Sequence, residues 1–90
     1  MIYTIITSKE ADEDISCLKK SEINAYNKVM HLFEELQEHP RTGTGKPKPL
    51  KHRPDIWSRR ITKKHRLTYS IRDEEVRVLV LSARTHYNDR

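Results

Sequence analysis

Cysteine occurs once in these 90 residues, at Cys17, so the chain closes no internal disulfide and offers no thiolate metal site of its own. That usage suits a reducing cytoplasm, where Cys17 is expected as a small, half-buried helix residue. Long apolar runs are missing as well. The opening MIYTIITSKE lacks a cationic start, and its apolar stretch is far too short for a secretion signal or a membrane span. His31 and His39 read as surface histidines, and no metal or other cofactor is expected. Glycine is scarce, and both glycines sit with all four prolines between residues 40 and 54. No regular element runs through such a stretch, so residues 40–56 are expected as a long surface loop, of the kind that in a small domain is functional or disordered.

The most telling shortage is of acid in one part of the chain. Residues 41–72 hold eleven Lys/Arg and a single carboxylate, Asp55, whereas residues 1–40 hold four against eight and residues 73–90 three against four. The net charge of +5 is therefore a localised patch. Ordinary faces interleave both signs, and self-repulsion at this density costs stability that an anionic partner restores. The length fits one small domain over residues 1–90, and the 34% of apolar residues fall in periodic blocks, as in a folded chain.

The periodicities give an order of elements. IYTIIT is short and β-branched, a first strand. Thr7 or Ser8 can cap a helix, with Glu10 placed to close a capping box on Thr7, and Ala11, Ile15 and Leu18 fall on one side of it. Ser21 is the expected cap of a longer helix, where Ile23, Tyr26, Met30, Phe33 and Leu36 recur at helical spacing, Val29 and Leu32 widen the stripe, and Pro40 ends it. After the loop the period becomes two. WSRRIT sets Trp57, Arg59 and Ile61 on one face, which makes Trp57 a core anchor, and HRLTYSIR sets Leu67, Tyr69 and Ile71 inward. VRVLVLSAR is apolar nearly throughout, as a covered central strand is. The expected fold is α+β, in the order β-α-α-β-β-β, with one antiparallel twisted sheet and both helices on one of its faces.

The opposite face carries the chemistry. Arg60 and Arg66 point away from the helices on neighbouring strands, and ARTHY, residues 83–87, continues from the central strand beside them. The basic loop can fold over the same face. The surface so formed holds Lys46, Lys48, Lys51, Arg60, Arg66 and Arg84, with His86 and Tyr87 next to them. That is a footprint for phosphate, with a titratable group and an aromatic in it.

GKPKPLKH, WSRRITKKHRLTYSI and the late ARTHY resemble the YoeB branch of the RelE/ParE toxin superfamily, whose patterns are G-K-P-E-P-L-K-H, W-S-R-R-I-T-x-x-H-R-L-x-Y and R-x-H-Y. The resemblance runs from Gly45 to Tyr69 and returns at Arg84–Tyr87. It implies a RelE-like toxin of a type II toxin–antitoxin pair, an endoribonuclease that cuts mRNA in the ribosomal A site. It also implies a cognate antitoxin with an acidic, partly disordered segment, and toxins that dimerise. Carried over by position, Arg66 stabilises the phosphate, His86 is the general acid and Tyr87 orients the substrate. Lys46, Lys51, Arg60, Arg84 and His65 then fall at RNA-binding positions, although His52 and His65 can equally serve only to hydrogen-bond the loop backbone.

Such chemistry lets the 2′-hydroxyl attack its own phosphodiester, which needs a base, cations for the growing phosphorane charge and an acid for the departing 5′ oxygen. A histidine suits acid or base work near neutrality. Lys48 stands where that branch has glutamate, the general base. Two accounts stay open: Lys48 works as in the RelE branch, whose site relies on lysines, or the base is missing and cleavage is impaired. The alternative functions are a non-catalytic ribosome- or RNA-binding homologue and, against the HY ending, a ParE-like gyrase poison.

Overall fold

The computed structural model describes residues 2–84. It contains β1 (Thr4–Thr7), α1 (Lys9–Ser21), α2 (Ile23–Glu38), β2 (Lys48–Pro49), β3 (Ile56–Arg60), β4 (Arg66–Arg72), a 3-10 turn (Asp73–Glu75) and β5 (Arg77–Ser82). Ser8 begins α1, its Oγ accepting from the Ala11 amide at 3.0 Å. Of the two expected caps it is therefore Ser8 that serves. Ser21 does not cap α2. It closes α1, its hydroxyl donating to the Cys17 carbonyl, and α2 starts after Glu22 without a side-chain cap. Cys17 is exposed, not half-buried.

The sheet is mixed where an antiparallel one was expected. Its strand order is β1-β5-β4-β3-β2, and β1 runs parallel to β5 while every other pair is antiparallel. A parallel neighbour requires a long crossover, and the α1–α2 hairpin followed by the meander supplies it. The Thr4 amide bonds the Val76 carbonyl as β1 enters beside β5. The two-residue strand β2 lies inside the segment expected to be loop throughout.

The core lies between the helices and one sheet face. Leu67, Tyr69, Val78 and Val80 meet Ala11, Leu18, Val29, Leu32 and Leu36 there, all buried. The buried line of α2 is Ala25, Val29, Leu32 and Leu36, so the expected stripe is rotated: Tyr26, Met30 and Phe33 flank the core, and Ile23 is 53% exposed. Each fully buried Leu or Val contributes about 1.5–3 kcal/mol, and α1 and α2 place them over β5 and β1. Among the described residues no helix is long and apolar enough to cross a membrane.

Candidate functional site

The helix-free face carries one cross-strand row. Lys48 pairs with Ser58, Ser58 with Thr68, and Thr68 with Ser82, so four side chains from β2, β3, β4 and β5 line up on one surface. A bulge between Thr68 and Tyr69 brings Ser82 into that row, where its hydroxyl bonds the Thr68 hydroxyl. Bulges of this kind re-aim side chains beside functional surfaces.

Arg66 lies two residues before Thr68, and its side chain crosses from β4 to β3. Its Nε donates to the Ser58 Oγ at 2.6 Å, and Ser58 is buried. The guanidinium is thereby fixed beside the Lys48 end of the row. Arg60 sits directly opposite Arg66 in the β3–β4 pairing. Like charges opposite one another destabilise a sheet, so this pair holds repulsion that an anion relieves. Among the described residues, Lys46, Lys48, Lys51, Arg60 and Arg66 have no carboxylate within ion-pair distance.

The loop that brings Lys46 and Lys48 to this face is pinned from beneath by a fully buried arginine. Arg59 donates to Glu35 Oε1 at 2.9 Å and to the carbonyls of His39 and Thr42 at 2.9 and 2.8 Å. The Tyr69 hydroxyl donates to the Pro40 carbonyl at 2.8 Å, and the Thr44 amide to Glu35 at 2.8 Å. Burial pushes the Glu35 carboxyl up, but the Thr44 hydrogen bonds and the Arg59 charge outweigh it and hold its pKa below the usual value. Gly45 then passes against β3: its φ is +90°, its carbonyl accepts from the Arg60 amide at 2.8 Å, and a Cβ there would lie 2.6 Å from the Arg60 carbonyl oxygen.

Not every expected residue reaches the open face. His65 is 2% exposed, and its Nε2 lies 3.0 Å from Glu22 Oε2, at the start of α2. That bond is also the main reason the Glu22 pKa is lowered. The side chain is thus buried against the start of α2. Arg84 is held by the helix side of the molecule, its Nε donating to Asp14 Oδ1 at 3.4 Å. The other oxygen of this buried carboxylate accepts from the Ala83 amide at 3.0 Å. His86 and Tyr87 lie outside the described residues. No group of three His, Cys, Asp or Glu side chains among the described residues is placed to hold a metal ion.

Three contributors were not singled out beforehand. Ser58 carried a faint signal, since it alternates with Arg60 on the open face. Asp14 shares its helix side with Ala11 and Leu18, an acid in a core position that demands a partner. Arg59 alternates with Trp57 and Ile61 and so pointed inward, but its partners are distant in sequence. Trp57 packs against the core yet is only half-buried. It lines an open cleft of about 320 Å³, with Arg41, Pro54, Asp55, Ser70, Ile71 and Arg72, where β4 runs past the start of β3.

Comparison with known proteins bears on this arrangement. Residues 7–87 match the model of the YoeB-like toxin of the bacterial type II toxin-antitoxin system. Toxin YoeB of Escherichia coli strain K12 is 36% identical over 84 residues, covering 92% of this chain and 98% of that one. The solved YoeB/ParE toxin from Agrobacterium tumefaciens superposes with a TM-score of 0.85 at 29% identity, over 93% of this chain and 99% of its own. YoeB from Staphylococcus aureus, solved in complex with YefM, gives a TM-score of 0.81 at 28% identity, over 97% of this chain and 100% of its own.

Proposed function

This chain belongs to the YoeB-like toxin family of bacterial type II toxin–antitoxin systems, and on that premise we propose that it is an endoribonuclease cutting mRNA in the ribosomal A site. The observation that carries the reading is the row Lys48–Ser58–Thr68–Ser82 with Arg66 locked to Ser58, a set of unpaired cations on a preorganised face. Preorganised charge is the largest single source of rate in phosphoryl chemistry of this kind.

In the reaction, the 2′ oxygen forms a bond to the adjacent phosphorus while the bond from phosphorus to the 5′ oxygen breaks. The products are a 2′,3′-cyclic phosphate and a free 5′ hydroxyl. Arg66, Arg60 and Lys48 offset the charge that accumulates on the phosphorane, His86 gives its proton to the 5′ oxygen, and Tyr87 orients the nucleotide. Lys48 is exposed, a setting in which lysine acts as a hydrated point charge. It binds the phosphate, the 2′ proton passes to water, and cleavage is slow for want of a dedicated base.

The wider system follows from the relatives. The S. aureus YoeB is solved both with YefM and as a dimer, and this chain takes a cognate antitoxin and forms a homodimer in the same way. An acidic, partly disordered antitoxin segment complements a stretch with eleven cations and one carboxylate.

The test uses purified protein, translating ribosomes and a defined mRNA, with 3′ ends mapped by primer extension. Codon-phased cuts are expected, and they should fall by about a hundredfold or more in His86→Gln. Intact mRNA on stalled ribosomes would favour the non-catalytic homologue instead.

A further inference from the structure

Asp14 is the one carboxylate of α1 that lies in the core, 2% exposed, on the same side of the helix as Ala11 and Leu18. A leucine or an alanine would fill that position without the desolvation of a charge, which is costly unless the charge is paired and hydrogen-bonded. Both oxygens of the carboxylate are engaged, by two consecutive residues. Oδ2 accepts from the Ala83 amide at 3.0 Å, and Oδ1 accepts from Arg84 Nε at 3.4 Å. Ser8, at the start of the same helix, donates from its Oγ to the Leu81 carbonyl at 2.9 Å. Helix α1 thus grips the chain along the end of β5 and just beyond it.

Where this grip falls matters more than its strength. Strand β5 ends at Ser82, the last member of the cross-strand row, so Asp14 takes hold of the backbone where the sheet ladder releases it. His86 follows Ala83 by three positions in the sequence. Three extended residues span at most about 11 Å. Ser58, which holds Arg66, lies two strand spacings from Ser82, about 10 Å. The chain beyond Ala83 is therefore long enough to carry an imidazole to a phosphate at Arg66, with little slack. A shift of Ala83 passes directly into that reach.

We infer that Asp14 is a positioning residue for the proposed cleavage: by fixing the Ala83 amide and the Arg84 side chain, it sets the point from which His86 reaches the departing 5′ oxygen. The inference deepens the nuclease reading and rests on it. It gives the buried acid a role that packing does not require. A reacting group displaced by about 1 Å loses about a hundredfold in rate. When that group is the acid, the loss falls on bond breaking and not on substrate binding.

The test compares two mRNAs on translating ribosomes in single-turnover reactions, one natural and one with sulfur in place of the 5′-bridging oxygen at the cut. Sulfur departs as a thiolate, which is stable near neutrality and needs no proton from an acid. Asp14→Asn keeps an acceptor for the Ala83 amide but lacks the charge that holds Arg84; Asp14→Ala lacks both. On the natural mRNA the rate at saturating protein should fall about tenfold in Asp14→Asn and about a hundredfold in Asp14→Ala, with the half-saturating concentration unchanged. On the sulfur mRNA both variants, like His86→Gln, should cut within about threefold of the parent. In a His86→Gln background Asp14→Asn should add no further loss. Asp14→Asn is nearly isosteric with the parent and carries the test alone if Asp14→Ala does not fold. The inference fails if Asp14→Asn cuts the natural mRNA as fast as the parent, if its loss persists with sulfur, or if it adds the same loss to His86→Gln. A parent protein that cuts neither mRNA would remove the nuclease reading, and the inference with it.

Discussion

At the scale of single residues, the site turns on how one guanidinium is aimed. An arginine on an open sheet face has many rotamers, and holding it ready for a phosphate costs entropy at the moment of reaction. The Ser58 hydroxyl meets that cost in advance by accepting from Arg66 Nε at 2.6 Å. Ser58→Ala removes the acceptor, so kcat for ribosomal cleavage should fall about tenfold, equivalent to about 1.4 kcal/mol, with KM much less affected. Ser58→Thr keeps a hydroxyl and should recover most of the loss; equal damage in both variants would mean that Ser58 matters for packing alone. Lys48 gives the complementary experiment. It faces Ser58 across β2 and β3, so Lys48→Glu sets a carboxylate within the row, beside Arg66, where it can take the 2′ proton. Single-turnover cleavage should rise by ~10²–10⁴. A flat or lower rate would show that Lys48 already serves the chemistry. The sequence exposed Lys48 because a recognisable pattern surrounds it. It left Ser58 obscure, because a serine gains this role only once a strand register sets it under an arginine.

At the scale of elements, the basic loop is held in place because α2 and β3 grip it through Arg59 and Glu35. Glu35→Ala leaves the fully buried Arg59 with carbonyls but no counter-charge, which should cost about 3 kcal/mol, a large share of the ~5–13 kcal/mol expected for a domain of this size. Glu35→Gln keeps an acceptor for Thr44 and should cost less. The sign of the pH effect follows from the lowered Glu35 pKa. Its stabilisation is fully present above the unfolded-state value, about 4.3, and is lost as pH falls through the lower folded-state value. Glu22 and Asp73 are lowered too and add in the same direction. Melting temperature measured from pH 7 down to pH 3 should therefore drop most steeply below about pH 4.5, and Glu35→Gln should give a shallower drop from a lower plateau. A parallel drop in the two proteins would assign acid sensitivity elsewhere. Most elements were legible because local period dictates them: both helices and the three-strand meander follow from spacing alone. The partners of Arg59, the parallel placement of β1 and the rotation of the α2 stripe were not, since each depends on contacts between segments far apart in the chain.

At the scale of the whole molecule, the helical half and the loop-and-meander half carry opposite charge. Residues 1–40 have four cations against eight carboxylates, and residues 41–72 have eleven against one. Part of the excess is neutralised internally, since Arg59 bonds Glu35, Arg41 bonds Asp73 and Arg53 bonds Asp55. Among the described residues, the cations of this stretch with no carboxylate within ion-pair distance include Lys46, Lys48, Lys51, Arg60 and Arg66 around the proposed phosphate, Arg72 further along β4 and Lys63 between β3 and β4. Neutralising a phosphate releases counterions, so affinity for single-stranded RNA should fall with salt at a log–log slope of about −0.7 for each contact made. If the five clustered cations all engage, the slope approaches −3.5, and Lys51→Ala should reduce its magnitude by about 0.7 without altering base preference. Fluorescence anisotropy of a labelled, uncleavable octanucleotide across a series of potassium chloride concentrations measures both. A slope near zero would mean that the cations are spent on the protein itself; one that is steep in the parent and unchanged in Lys51→Ala would place the polyanion on another part of the surface.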